Sequence, residues 1–240
     1  MRTSPCPRHA QDSFRIMTDF ALLPSIELET APSPDAALIF LHGLGDDGHG
    51  WSDMVPALAL PAGLAVRCIF PHAPEMPVTI NSGYVMPAWY DILDADFQSR
   101  ADLPGVRLSR THVGHLIARE RQRGIRASRI VLGGFSQGGA IALHAGLLHD
   151  ERLAGIAALS TYLIDAQTTL QEATSANRST PIFMAHGTAD EVVRHEWGDE
   201  SRKRLEAAGW PVEWHTYPMA HSAVLEEIQA LGAFVRRVLG

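Results

Sequence analysis

The sequence predicts an α/β fold, one mostly parallel central sheet with helices on both faces. Three observations lead there. Short apolar runs of buried-strand type recur and end at glycine or proline, stretches of helical spacing follow most of them, and no repeat or linker divides the chain after residue 36. Strands repeatedly followed by helices need a parallel sheet covered on both sides. At 240 residues the chain is long enough for one large domain. The expected organisation is an N-terminal leader over 1–35, disordered at its start, and a single domain over 36–240.

The elements follow in order. Residues 37–41 (ALIFL) form a first strand that ends at His42-Gly43. Residues 55–60 form a helical turn, broken by Pro61-Ala62-Gly63, and 64–70 form a second strand closed by Pro71. Residues 71–91, PHAPEMPVTINSGYVMPAWYD, hold four prolines and three aromatics without a period, and read as a long ordered loop. Residues 109–124 place Val113, Leu116 and Ile117 on one face of a surface helix that stops at Gly124. A third strand covers 130–132, with a helix from Gly139 onward. Further strands cover 153–159, 182–185 and 212–217, and helices cover 201–208 and 222–239.

Composition narrows the function. A net charge of -7 with a pI near 5.9, and no basic cluster on an aromatic-rich face, excludes nucleic acid as a partner. The basic run 119–129 alternates with apolar residues as a solvated helix face does. Cys6 and Cys68 give no disulfide framework. No apolar run reaches the roughly 18 residues of a membrane span, and the first sixteen residues lack the apolar centre of a secretory signal. The expected setting is a reducing cytoplasm without stable membrane insertion, Met17 is an alternative start, and a homodimer is left open. A single lysine, Lys203, beside many arginines suggests a GC-rich bacterial coding bias.

The stretch RIVLGGFSQGGAIAL at 129–143 carries the chemistry. It puts Ser136 between glycines where a buried strand turns into a helix, at the carboxyl end of the sheet where ligands bind. Gly134 and Gly138 leave room for a turn sharp enough to expose the serine, and Gly139 relieves packing of the new helix. A glycine-rich turn that merely closes a bend is the bland alternative. A phosphate loop is disfavoured, since no lysine follows the glycines.

A serine hydroxyl needs a base, and the base needs an orienting acid, in the chain order serine, acid, histidine. Asp190 lies on the loop past the 182–185 strand. His221 lies on the loop past the 212–217 strand and is the expected base. Twelve histidines make number uninformative. His144 and His149 sit on the helix after the serine, His186 supports structure beside Asp190, His195 follows no strand, and His215 lies inside one. His112 and His115 lack a third ligand of matching spacing, so no metal is expected. Asp165 is the alternative acid, and Glu191 reads as solvated. For the oxyanion, the Gln137 amide opens the helix, and the glycines of Leu41-His42-Gly43-Leu44-Gly45-Asp46 leave the Leu44 amide as the second donor.

With these residues the chain resembles the phospholipase/carboxylesterase family of α/β-hydrolases, a bacterial carboxylesterase similar to acyl-protein thioesterases. LHGLGDDGHGW at 41–51, the 71–91 stretch, GGFSQGGAIAL at 133–143, HGTADEVV at 186–193 and MAHS at 219–222 occur in family order. The resemblance implies an α/β-hydrolase fold with Ser136, Asp190 and His221 as the triad and the Leu44 and Gln137 amides as the oxyanion hole. It also implies an acyl-binding role for the 71–91 loop, through Val78, Ile80, Val85, Met86 and Trp89. Arg194 and the Ser160-Thr161-Tyr162 stretch depart from the family pattern, away from the chemistry, and bear on the shape of the acyl site. The expected activity is hydrolysis of small to medium acyl esters, thioesters included, through an acyl-enzyme and without a cofactor. Lysophospholipase or acyl-protein thioesterase activity is the alternative reading, and a non-catalytic binding module on the same scaffold is the other.

Overall fold

A computed structural model describes residues 22–94 and 101–240. Among the described residues seven strands form the central sheet: β1 (Ser25–Glu29), β2 (Ala36–Leu41), β3 (Val66–Pro71), β6 (Ile130–Phe135), β7 (Gly155–Leu159), β8 (Ile182–Gly187) and β9 (Val212–Tyr217). Their spatial order is β1-β3-β2-β6-β7-β8-β9. All pairings in it are parallel except β1 with β3. The remaining strands, β4 (Glu75–Val78) and β5 (Tyr84–Pro87), make a separate antiparallel hairpin. The helices are α1 (His49–Ser52), α2 (Leu103–Gln122), α3 (Gln137–Leu147), α4 (Ala166–Glu172), α5 (His195–Ala207) and α6 (Leu225–Leu239).

The apolar runs are explained by burial on both faces. Every residue of β2 and β7 is buried, and the period of two splits each strand between two cores. Ile39 and Leu41 join Ile130 and Leu132 of β6, with Leu116 from α2 and Ile141 from α3. Leu38 and Phe40 point the other way, to Leu231, Phe234 and Val235 of α6.

The sheet begins before residue 36, so the expected leader is too long. Ser25–Glu29 pairs antiparallel with β3, from Ser25 opposite Pro71 to Glu29 opposite Arg67. Its alternation is too polar to stand out as an apolar run. Ile26 packs on the core while Glu27 and Glu29 reach arginines: Glu27 binds Arg119 at 2.8 Å and Arg123 at 2.7 Å, and Glu29 binds Arg67 at 3.0 Å. Arg67 in turn meets the fully buried Glu120 at 2.7 Å. Cys6, Met17 and the expected disorder of the leader's start lie outside the described residues.

Three other expectations shift. The 71–91 stretch contains the β4–β5 hairpin, whose strands are too short and proline-bearing to show a period. Helix α2 starts at Leu103 rather than 109, because Asp102 caps it by accepting the Gly105 N–H at 3.1 Å and Pro104 is tolerated in a first turn. Helix α5 likewise starts earlier, at His195, and the short α1 and α4 leave no periodic signal.

Candidate active site

Ser136 stands between β6 and α3 with φ 54° and ψ -122°, a positive-φ conformation that a side-chain-bearing residue holds only under strain, about 1–3 kcal/mol. Packing forces it. A β-carbon on Gly134 would lie 2.4 Å from the Gly138 carbonyl carbon, and one on Gly138 would lie 2.4 Å from the carbonyl oxygens of both Leu41 and His42. The Ser136 N–H donates to the Leu159 carbonyl at 2.8 Å, and its own carbonyl accepts the Thr161 hydroxyl at 2.7 Å and the Ala140 N–H at 3.0 Å. Thr161 therefore touches the serine's backbone, contrary to the expectation that this stretch bears only on the acyl site.

The structure brings Ser136, Asp190 and His221 together. The Nε2 atom of His221 is 2.9 Å from the Ser136 hydroxyl, and its Nδ1 is 2.7 Å from Asp190 Oδ2. The loops past β8 and β9 that carry the acid and the imidazole are packed on each other. The Thr188 N–H donates to Tyr217 O at 2.8 Å and the Ala189 N–H to Met219 O at 3.1 Å, while a β-carbon on Gly187 would collide with the Met219 carbonyl at 2.4 Å. The other carboxylate oxygen of Asp190 accepts the Val192 and Val193 N–H groups, both at 2.9 Å. Burial alone would raise the Asp190 pKa. Hydrogen bonding from His186 and His221 and from the Val193 N–H outweighs it and holds the group below the usual carboxylate range. An ionised Asp190 accepts from Nδ1–H of His221 and leaves Nε2 facing the hydroxyl as the acceptor. The ring of Phe135 backs the imidazole, with centroids 4.8 Å apart, and Trp51 backs Phe135 at 4.9 Å.

Leu44 and Gln137 meet at the same cavity. The loop after β2 approaches the serine so closely that a β-carbon on Gly43 would lie 3.5 Å from Ser136 Cβ. Gly45, at φ 76°, turns the chain past Leu44 and donates its N–H to Pro87 O at 2.9 Å. His42, fully buried, fixes the base of this loop: Nδ1 pairs with the Gly43 carbonyl at 2.7 Å and Nε2 accepts the Ala73 N–H at 3.0 Å. Those roles require the neutral imidazole, and burial lowers its pKa accordingly. Gln137 is the first residue of α3, where N–H groups have no intrahelical acceptor. Its side chain accepts the Trp89 N–H at 2.8 Å and donates to Tyr90 O at 2.7 Å, joining the elbow to the segment after β5.

The cavity at the serine is about 270 Å³ and largely apolar, lined by Leu44, Trp51, Ile80, Tyr90, Ile92, Phe135, Tyr162, Val192 and Val193. Of the five expected substrate-binding residues only Ile80 lines it. Val78 is fully buried in the core, Val85 is exposed on the hairpin, and Met86 is half-buried against Gly45. Trp89 is buried with its indole N–H donated to His42 O at 2.9 Å, so it supports the loop after β2 instead. No residue of β4 or β5 lines the cavity; Ile80 reaches it from the segment between the two strands. Trp51 and Phe135 lie within the sequence blocks that carry the family resemblance. Val192 and Val193 lie within such a block too, whereas Tyr162 and Ile92 lie outside all of them, and only the fold selects them. The Tyr90 and Tyr162 hydroxyls pair at 2.8 Å, and burial pushes Tyr162 up to about 12.

The alternative residues have other partners. His144 bonds Thr169 at 3.0 Å, and burial lowers it to about 4. His186 pairs with the Val193 carbonyl at 2.8 Å, and His215 with Glu213 at 2.8 Å. The imidazole of His221 engages Asp190 rather than Asp165, which precedes α4.

A strained serine at a strand–helix turn, with an acid and an imidazole from later strand ends, defines an α/β-hydrolase, and comparison with known proteins agrees. The profile of the phospholipase/carboxylesterase family matches residues 25–239, and the chain belongs to that family, an esterase-type hydrolase. The match includes β1, within the segment expected to be leader. The chain is 44% identical over 213 residues to acyl-protein thioesterase 1 of Gibberella zeae, covering 85% of this chain and 91% of the relative. It is 43% identical over 228 residues to acyl-protein thioesterase 1 of Neurospora crassa, covering 91% and 93%. Among solved structures it is similar to Zea mays acyl-protein thioesterase 2, with a TM-score of 0.81 at 29% identity over 90% of this chain and 99% of that one. These relatives are fungal and plant proteins and lend no support to a bacterial origin.

Proposed function

We propose that the protein is a serine carboxylesterase that hydrolyses small to medium acyl esters, thioesters included, through an acyl-enzyme. Ser136 attacks the carbonyl carbon while His221 Nε2 takes the hydroxyl proton, and Asp190 holds the imidazole in the required tautomer. The tetrahedral oxyanion faces the Leu44 and Gln137 amides, at the opening of α3. His221 returns its proton to the leaving alcohol or thiol, then activates water to release the acid and free the serine. The observation that carries this reading is the chain of two contacts, 2.7 Å from Asp190 to His221 and 2.9 Å from His221 to Ser136.

The test is turnover of a chromogenic short-chain ester. Ser136→Ala and His221→Ala should each lower kcat by about a thousandfold or more. Undiminished turnover in either variant removes the mechanism.

A second reading, a long-chain thioesterase acting on acylated proteins or a lysophospholipase, is favoured by the names of the relatives and by the apolar lining of the cavity. Rates across a series of acyl lengths separate the two, since a small-ester enzyme loses kcat/KM as the chain outgrows the cavity. Among the described residues no helix is long and apolar enough to cross a membrane, and a cytoplasmic setting belongs to the same proposal.

A further inference from the structure

Along the sequence, His112 and His115 have no third ligand of matching spacing. The fold assembles a different set. Asp47 and His49, at the far end of the loop after β2, meet His72, just past β3, with one donor atom of each residue lying within 4.8 Å of the others. We propose that these three residues bind a divalent transition-metal ion of the zinc class.

The two segments are held against each other by backbone packing. Gly48, between two of the ligands, sits so close to the end of β3 that a β-carbon there would lie 2.3 Å from the Phe70 carbonyl oxygen and 3.4 Å from the His72 ring. His49 Nδ1 is already 3.2 Å from Asp47 Oδ1, and the His49 and His72 ring centroids are 5.4 Å apart. Ligands around a tetrahedral zinc stand roughly 3.4 Å from one another, given bonds of about 2.0–2.2 Å. Drawing in the present spread takes only side-chain rotation. The His49 and Asp47 side chains are 69% and 48% exposed and tied to each other, whereas His72 is half-buried and supplies the fixed point.

The donor chemistry selects the ion. Two imidazoles and one carboxylate suit zinc and its neighbours, while calcium and magnesium prefer all-oxygen cages. Asp47 Oδ1 accepts the His49 N–H at 2.7 Å, which holds the carboxylate beside the His49 ring. The Asp46 carboxylate accepts the Asp47 N–H at 2.8 Å and adds negative charge beside the site. His72 Nδ1 accepts a long bond from the Gly48 N–H at 3.2 Å, which the ion replaces when His72 ligates through that nitrogen. Asp46 and Trp51, on either side of the ligand-bearing residues, line the cavity at Ser136. A bound ion therefore ties the loop that carries Leu44 to the end of β3. The site stands independently of the proposed hydrolytic mechanism, because its test reads binding.

The full chain, stripped with EDTA, is titrated with zinc chloride by calorimetry and with cobalt(II) by visible absorption. The expected result is one equivalent of zinc with a Kd in the micromolar range, and a cobalt spectrum of imidazole and carboxylate ligation. His49→Ala and Asp47→Ala, both at exposed positions, should each weaken binding roughly tenfold or more, with circular dichroism and metal-free melting unchanged. His221→Ala should bind as the wild type does. Absence of uptake, uptake unaltered by both loop variants, or uptake abolished by His221→Ala overturns the proposal.

Discussion

The elbow and the hairpin border the same cavity, yet they are built on opposite principles. Around Ser136 every residue of α3 is buried, the serine's backbone bonds three partners, and two glycines face carbonyl groups at 2.4 Å from where a side chain would begin. The β4–β5 hairpin is a two-stranded ribbon of four residues a side, with Tyr84 70% exposed and Val85 55% exposed. A two-stranded ribbon has little stability of its own. What holds it in place is its attachment: Val78 buried in the core, the Gly45 N–H on Pro87, and the Gln137 side chain on Trp89 and Tyr90. The reacting atoms are thus positioned by steric necessity, whereas the hairpin that brings Ile80 to the cavity is held by one buried side chain and a few hydrogen bonds.

The largest expected effect belongs to the elbow. Gly138→Ala should cost about 3 kcal/mol or more in urea denaturation, because neither Leu41 nor His42 can move its carbonyl without distorting the sheet. A cost below about 1 kcal/mol would mean that the elbow is more pliable than its packing indicates.

A smaller effect is expected from the helix that follows the His221 loop. Glu227, in the first turn of α6, is fully buried, and burial pushes its carboxyl up to about 8 against a partial pull from the Val224 N–H. Its unfolded value is about 4.3. The fold thus favours the protonated form, so its contribution to stability is complete below the unfolded value and is lost as pH rises toward about 8. The wild-type Tm should fall between about pH 5 and about pH 8.5 more steeply than that of Glu227→Gln. Parallel curves would remove Glu227 from the account.

The smallest effect is expected at the hairpin tip. Tyr84→Ser and Val85→Ser should each stay within about 0.5 kcal/mol of wild type in denaturation, since neither side chain is buried. Ester turnover should be unchanged, since neither side chain lines the cavity. A marked loss of stability would mean that Tyr84 and Val85 pack on the protein rather than face solvent.

The same contrast sets what the sequence reveals. Where the chain has no room for a side chain, residue type is dictated locally, so the glycines around Ser136 advertise the turn. Asp190 and His221 are legible because each follows a recognisable strand by a few residues, the first an apolar run and the second an alternating one. Strand β1 is not legible, since Glu27 and Glu29 interrupt it and are satisfied by arginines from β3 and the end of α2. Nor are Tyr162 and Ile92 as cavity walls, because their neighbours are chosen by tertiary packing alone. Trp89 misleads in another way: an aromatic beside the active site suggests a substrate surface, but its indole is committed to the His42 carbonyl.

The most direct measurement of the central claim is covalent labelling of the intact protein by a fluorophosphonate, followed by peptide mapping. Only a hydroxyl activated by a neighbouring base reacts readily. The account predicts a single adduct on Ser136, formed rapidly in wild type and strongly suppressed in His221→Ala. An adduct on another serine, or equal labelling with and without the imidazole, would contradict it.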